Sequence, residues 1–235
     1  MSTRKGGTAS KSSSSSKSSS KTKKVKKQEL SKEDKAIIES NVVYFLGRSK
    51  GDIKLLSNFS KCEINIDSVL YPSGEHAYHG EKYRQLGLVS QDSKRRDDLL
   101  KYSEKFTSTG EFKDLFEGKV KSKGGKNGLR LEEDEMKTWG DIYVDTQKKI
   151  CLWKYGMCPG VKEALANTGS KLLVHLASRK NAIQVSKSTK PNNGLANAEG
   201  ICIVENGKVK VLGPNMLGKI WTEIRDNARL SEVVS

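Results

Sequence analysis

The 235-residue chain carries 43 Lys and Arg against 28 Asp and Glu, a formal charge of +15, with 34% hydrophobic residues. That length suits one domain plus a tail. No apolar run approaches the ~20 residues that a bilayer span needs, and no signal-peptide core follows the basic start, which argues against membrane insertion and secretion.

The excess charge is uneven. Residues 1–27 hold nine of the basic residues and ten serines, with no acid before Glu29 and only Val25 as a large apolar side chain after Met1. Such a segment buries too little apolar surface to offset its ordering entropy, so residues 1–30 are expected to be a disordered Ser/Lys-rich tail and 31–235 the folded domain. The run Lys21–Lys27 reads equally as a nuclear address, a loose nucleic-acid contact or a solvated tail. Four separated cysteines (Cys62, Cys151, Cys158, Cys202) form no C-x-x-C pair, so reduced thiols packed in the core of an intracellular protein, cytoplasmic or nuclear, are expected.

The domain opens at Ser31, where S-K-E-D resembles a capping box before a short helix carrying Ile37 and Ile38. Val42–Leu46 is a β-prone run closed by a turn over Gly47–Asp52. Ser57-Asn58-Phe59 is too polar for a buried strand; Asn58 is a candidate for holding a ribose or base, or satisfies its own turn. Cys62–Asp67 alternates like a strand with one buried face.

Leu70–Tyr83 (L-Y-P-S-G-E-H-A-Y-H-G-E-K-Y) is the most informative stretch. Pro72 keeps Tyr71 extended, and Ser73 is suited to cap a helix whose first turn holds Glu75 and His76. On that helix Glu75, His79 and Lys82 share one face at i, i+4 and i+7. The helix dipole holds a first-turn carboxylate ionised, and Glu75 either does that alone or also works in a site. His76 and His79 beside Glu75 do not complete a usual ligand set, so no metal is expected.

Helical patterns follow over Asp92–Phe106 and Phe112–Val120. Lys121–Arg130 (K-S-K-G-G-K-N-G-L-R) lacks the spacing of a P-loop and reads as a mobile basic loop or as a clamp for a substrate phosphate. Ile201–Leu212 reads as a hairpin turning at Asn206-Gly207.

Taken in order, S-N-F, the Cys62–Asp67 strand, P-S-G-E-H, Lys82-Tyr83, Trp139 with Lys154-Tyr155, V-K-E-A-L (161–165), T-G (168–169), L-L-V (172–174) and G-P-N-M-L-G (213–218) resemble the YbiA-like, or NADAR, superfamily over about 43–226. The resemblance implies an α+β, helix-rich single domain with a small sheet. It implies hydrolysis of a ribosyl C–N bond on a nucleotide-like substrate, such as ADP-ribosylated guanine or a phosphoribosyl aminopyrimidine, without a cofactor. The partner is then a nucleotide-like small molecule or an ADP-ribosylated nucleic acid. It also implies Glu75 as the catalytic carboxylate, with Asn58, Phe59, His76, Tyr78, His79, Lys82, Trp139, Lys180 and Asn215 around the substrate. Trp139 is also readable as a plain core anchor.

The chain departs from the pattern as well. Tyr71 stands for Trp, Gly74 for Ser and His79 for Gln, and further on His175 stands for Glu, Lys180 for Asp and Ile183-Gln184 for Trp-Gly. Lys180 is expected to hold a substrate phosphate or to lie exposed. These losses leave open a degenerate member that binds nucleotide or ADP-ribose without turnover. A basic nucleic-acid-binding protein is a third reading and rests on the tail.

Overall fold

The computed structural model describes residues 31–176 and 199–234. Helix α1 (Lys32–Asn41) starts where Ser31 Oγ accepts the Asp34 amide at 3.0 Å and runs without a loop into β1 (Val42–Phe45). A 3-10 turn, Asp52–Leu56, precedes the hairpin of β2 (Lys61–Ile66) and β3 (Val69–Ser73), which turns through Asp67 and Ser68, both at positive φ. Five helices and a strand come next: α2 (Gly74–Val89), α3 (Ser93–Glu104), α4 (Glu117–Gly124), α5 (Glu133–Met157), α6 (Val161–Ala166) and β4 (Leu172–His175). The hairpin β5 (Ile201–Glu205) and β6 (Lys208–Leu212) turns at Asn206-Gly207, and α7 (Met216–Val234) ends the described chain.

The domain is therefore α+β and helix-rich, as the sequence implies. Where one small sheet is expected, the strands form three separate two-stranded pairs: β1 with β4 in parallel, β2 with β3 and β5 with β6 in antiparallel. The helix expected over Phe112–Val120 begins later, at Glu117, because residues 107–115 close successive tight turns instead. Helix α7 runs well past Arg225, whose guanidinium donates to Thr168 Oγ1 and the Lys171 carbonyl and so ties α7 to the segment before β4.

At the centre lies α2, packed against α3, α4, α5 and the β2–β3 hairpin. Nearly every side of it is buried, so its polar residues need internal partners. Glu81 shows how this is met. Its fully buried carboxylate accepts from Tyr71 (2.7 Å), from Arg84 through Nε and Nη2 (2.8 and 2.9 Å) and from Gln85 (3.0 Å). The main core around α2 includes Phe45, Leu56, Ile64, Leu99, Phe106 and Trp221, while Ile38, Val42, Val174, Leu176 and Cys202 form a second cluster between α1, β1, β4 and β5.

The four-thiol expectation is corrected. Cys151 and Cys202 are free and buried, but Cys62 and Cys158 are disulfide-bonded, with Cα atoms 6.0 Å apart. The fold brings the start of β2 to the end of α5 across 96 residues, a juxtaposition that cysteine spacing does not encode. Among the described residues, no helix is long and apolar enough to cross a membrane. The tail at residues 1–30 lies outside the described residues.

Candidate functional site

The local chemistry of the β3–α2 junction fixes Glu75. Ser73 caps α2 by accepting the His76 amide at 3.4 Å, and the Glu75 amide donates to the Asn58 carbonyl at 3.0 Å. That second bond hangs the first turn of α2 on the S-N-F segment. The Glu75 carboxylate is 7% exposed, and its Oε1 lies 3.3 Å from Nε2 of His79, one turn along. Its Oε2 takes part in no hydrogen bond among the described residues. The amide groups at the start of α2 add favourable positive potential to this carboxylate.

The two histidines differ in kind. His76 has both ring nitrogens bound, Nδ1 to Ser73 Oγ at 2.8 Å and Nε2 to the Phe112 carbonyl at 3.0 Å. A carbonyl only accepts, so Nε2 carries the proton and Nδ1 accepts the serine hydroxyl. His76 is thus a pin between α2 and the loop before α4, with nothing left for a substrate. His79 is also buried, but its Nδ1 has no hydrogen-bond partner among the described residues. Burial pushes both imidazoles below the ordinary histidine pKa, in His79 against the opposing pull of Glu75.

Lys82 continues the same face. Its ammonium donates to the Gly124 carbonyl, which also accepts from Tyr83 at 3.3 Å. Burial lowers its pKa from 10.5 to about 8. Gly124 belongs to the basic segment read from sequence as a mobile loop or phosphate clamp. It is the buried last residue of α4, and its Cα faces the His79 ring so closely that a Cβ there would stand 2.0 Å from His79 Cγ.

Tyr78 and Trp139 flank the site, their rings edge-to-face with centroids 5.3 Å apart; Tyr78 also meets the His79 ring at 5.4 Å. Trp139 is 7% exposed and packs into the main core, so it anchors α5 whatever else it does. Burial, with Glu75 nearby, raises the Tyr78 phenol above its ordinary pKa and keeps it neutral.

Asn58 is placed beside Glu75, but its amide is engaged elsewhere. It donates to Gln147 Oε1 at 2.8 Å and accepts from Gln147 Nε2 at 3.0 Å, a reciprocal pair inside the protein. Phe59 is half-buried against Gly47. Asn215 is not part of the cluster: its amide donates to the Leu173 carbonyl (2.9 Å) and accepts the His175 amide (3.1 Å), bracing β4 against the start of α7. Gly218 lies against the same carbonyl, where a Cβ would stand 2.2 Å away. The G-x-N-x-L-G stretch is therefore a packing device in this chain. Lys180 lies outside the described residues.

The structure thus brings Glu75, His76, Tyr78, His79, Lys82 and Trp139 together, with Asn58 joined through its backbone. Sequence reading missed Gln147 and Gly124. A buried polar stripe on α5, Gln147–Cys151–Lys154 at i, i+4 and i+7, was the available signal for the first. Lys154 is fully buried, donates to Ser57 O (2.7 Å) and Ser60 Oγ (2.8 Å), and has its pKa lowered by burial to about 8. It thus holds the S-N-F segment through Ser57 and the adjoining Ser60, as the Glu75 amide holds it through Asn58.

A cavity of about 680 Å³ lies between the β2–β3 turn and the loop after α3. It shares no lining residue with the Glu75 cluster. Size alone does not make a cavity a site, and the Glu75 cluster remains the candidate because it holds a constrained, buried carboxylate. Among the described residues, no group of three or more His, Cys, Asp or Glu side chains is placed to hold a metal ion.

No protein-family model matches the chain, and no curated protein matches it. Among solved structures, the chain is similar to the NMR structure of the Escherichia coli protein YbiA, at 16% identity over 82% of this chain and 88% of that one, with a TM-score of 0.48. At that identity and score, the likeness assigns no residue a role.

Proposed function

We propose that the chain hydrolyses the C–N bond between a ribose and its base on a nucleotide-like substrate, with Glu75 as the catalytic carboxylate. One observation carries the reading: a buried carboxylate in the first turn of α2 has one oxygen held and the other without a hydrogen bond among the described residues, beside two paired aromatic rings. The ordered motifs of the sequence support the same chemistry.

Breaking an N-glycosidic bond builds positive charge at the anomeric carbon. A carboxylate already fixed near that carbon stabilises the charge without reorganising, or aligns the water that attacks the opposite face. In this reading Oε2 of Glu75 does so, and the exposed part of Tyr78 contributes a surface on which a base stacks, worth roughly 1–3 kcal/mol. Among the described residues Lys82 has one hydrogen-bond partner for three N–H donors, leaving capacity for an anionic group of the substrate.

Incubation with ADP-ribosylated guanosine, ADP-ribosylated DNA and phosphoribosyl aminopyrimidines, followed by mass spectrometry of released bases, tests the reading. Release from at least one class is expected, and release from none would overturn it. A second reading, binding without turnover, is favoured by one observation. The amides of Asn58 and Asn215, both expected at the substrate, are engaged within the fold. Calorimetric binding of ADP-ribose without product formation would select it.

A further inference from the structure

We infer that His79 is a positioning residue for Glu75: its Nε2–H holds Oε1 and leaves Oε2 to the substrate, with the ring itself fixed by the backbone of Gly124. The inference rests on the proposed role of Glu75 and extends it to the group that orients the carboxylate.

Four observations meet at this ring. His79 Nε2 lies 3.3 Å from Glu75 Oε1, and both side chains are about nine-tenths buried, at 10% and 9% exposure. A carboxylate only accepts, so the proton between them belongs to the imidazole and His79 carries it on Nε2. Nδ1 is then a bare acceptor, and it is buried without a hydrogen-bond partner among the described residues. An unbound buried acceptor is costly, and the fold keeps it where a different rotamer or tautomer would break the contact to Glu75. Finally, Gly124 stands so close that any Cβ would enter the ring, 2.0 Å from Cγ and 2.1 Å from Nδ1, and this residue is itself tied down by Lys82 and Tyr83 through its carbonyl. The chain therefore fixes the ring from α4 and the carboxylate from the ring.

The charged groups that face the imidazole are Glu75 and Lys82 on α2 and Lys121 on α4, and its aromatic neighbours are Tyr78 and Phe106. The two cations and the burial oppose a proton on Nδ1, while Glu75 favours it. Neutral His79 leaves the pair with the single negative charge that an oxocarbenium-like carbon needs. Protonated His79 would cancel that charge while keeping the hydrogen bond.

The experiment has two independent arms. In the first, ring ¹⁵N shifts of His79 in the full chain at neutral pH read the tautomer without any substrate. A protonated Nε2 with bare Nδ1 is expected, and a protonated Nδ1 overturns the inference whether or not the chain turns anything over. In the second, His79→Leu is expected to lower kcat roughly 10–100-fold with KM nearly unchanged, as outer partners of a reacting group do. His79→Gln is expected to restore most of that loss, because its amide donates to the same oxygen, and to remove the contribution of His79 to the acid limb of the pH profile. Equal loss in both variants, or an acid limb unchanged in His79→Gln, overturns it. Failure of the proposed activity itself would leave every variant and the wild type inactive on all substrates, and the tautomer then decides this inference alone. Circular dichroism of each variant guards against a folding artefact, and Gly124→Ala tests the fixing of the ring: its added Cβ is expected to change the His79 ring shifts, and unchanged shifts overturn that part of the inference.

Discussion

Two buried lysines give this protein an alkaline stability signature. Lys82 and Lys154 are 8% and 0% exposed, and burial lowers both from 10.5 to about 8. An unfolded lysine keeps its proton up to pH 10.5, while the folded one releases it near pH 8. Between those values the unfolded chain binds more protons, so stability rises with pH. From pH 7 to pH 9 each lysine contributes about 1 kcal/mol of added stability by this linkage. The buried thiols act in the other direction, since burial raises Cys202 and pushes Cys151 up to about 12, and by pH 9 Cys151 subtracts roughly a few tenths of a kcal/mol. The net gain is about 1–2 kcal/mol, which at ~2 kcal/mol per molar moves the urea midpoint up by roughly 0.5–1 M. Urea unfolding followed by circular dichroism at pH 7, 8 and 9, without reductant, reads it directly. In Lys154→Met the rise should be less than half as large, because only Lys82 remains against the unchanged opposing thiols. A wild-type midpoint that stays level or falls over this range would refute the reasoning.

On the acid side, His76 and His79 are both held below 6.5, so the unfolded chain takes up protons first and stability should fall as pH drops below 6.5, as the same denaturation series extended to pH 5 will show. Thiol titration of the unfolded, unreduced chain should find two free cysteines of four, and reduction should lower stability by up to about 4–5 kcal/mol, the chain-entropy value for a loop of this length. Gly218→Ala should cost about 2–3 kcal/mol in chemical denaturation, since its Cβ meets the Leu173 carbonyl at 2.2 Å.

Local chemistry made the centre of the fold legible. Pro72, Ser73 and the apolar run before them place the start of α2, and helical spacing alone puts Glu75, His79 and Lys82 on one face. The β2 strand, the Asn206-Gly207 hairpin and the capped start of α1 were legible for the same reason, since each is decided within a few residues. What was hidden depends on partners far along the chain. Asn58 looks like a ligand-binding amide until Gln147, 89 residues away, is seen to occupy both its donor and its acceptor. Lys121–Arg130 looks mobile because glycine and lysine dominate it, yet Gly124 serves as a close-packing position against His79. Cysteine spacing cannot reveal a bridge that forms only when β2 reaches the end of α5.

The most direct measurement of the central claim is turnover by Glu75→Gln, with circular dichroism to verify the fold. The amide keeps the size of the side chain and removes the charge beside the bond to be broken. On a substrate that the wild type cleaves, the expected result is a barrier higher by roughly 2–4 kcal/mol, or about 30- to 1000-fold slower release of the base, with the native spectrum and melting behaviour preserved. A rate within a few-fold of wild type would contradict the assignment of Glu75 as the charge-stabilising group.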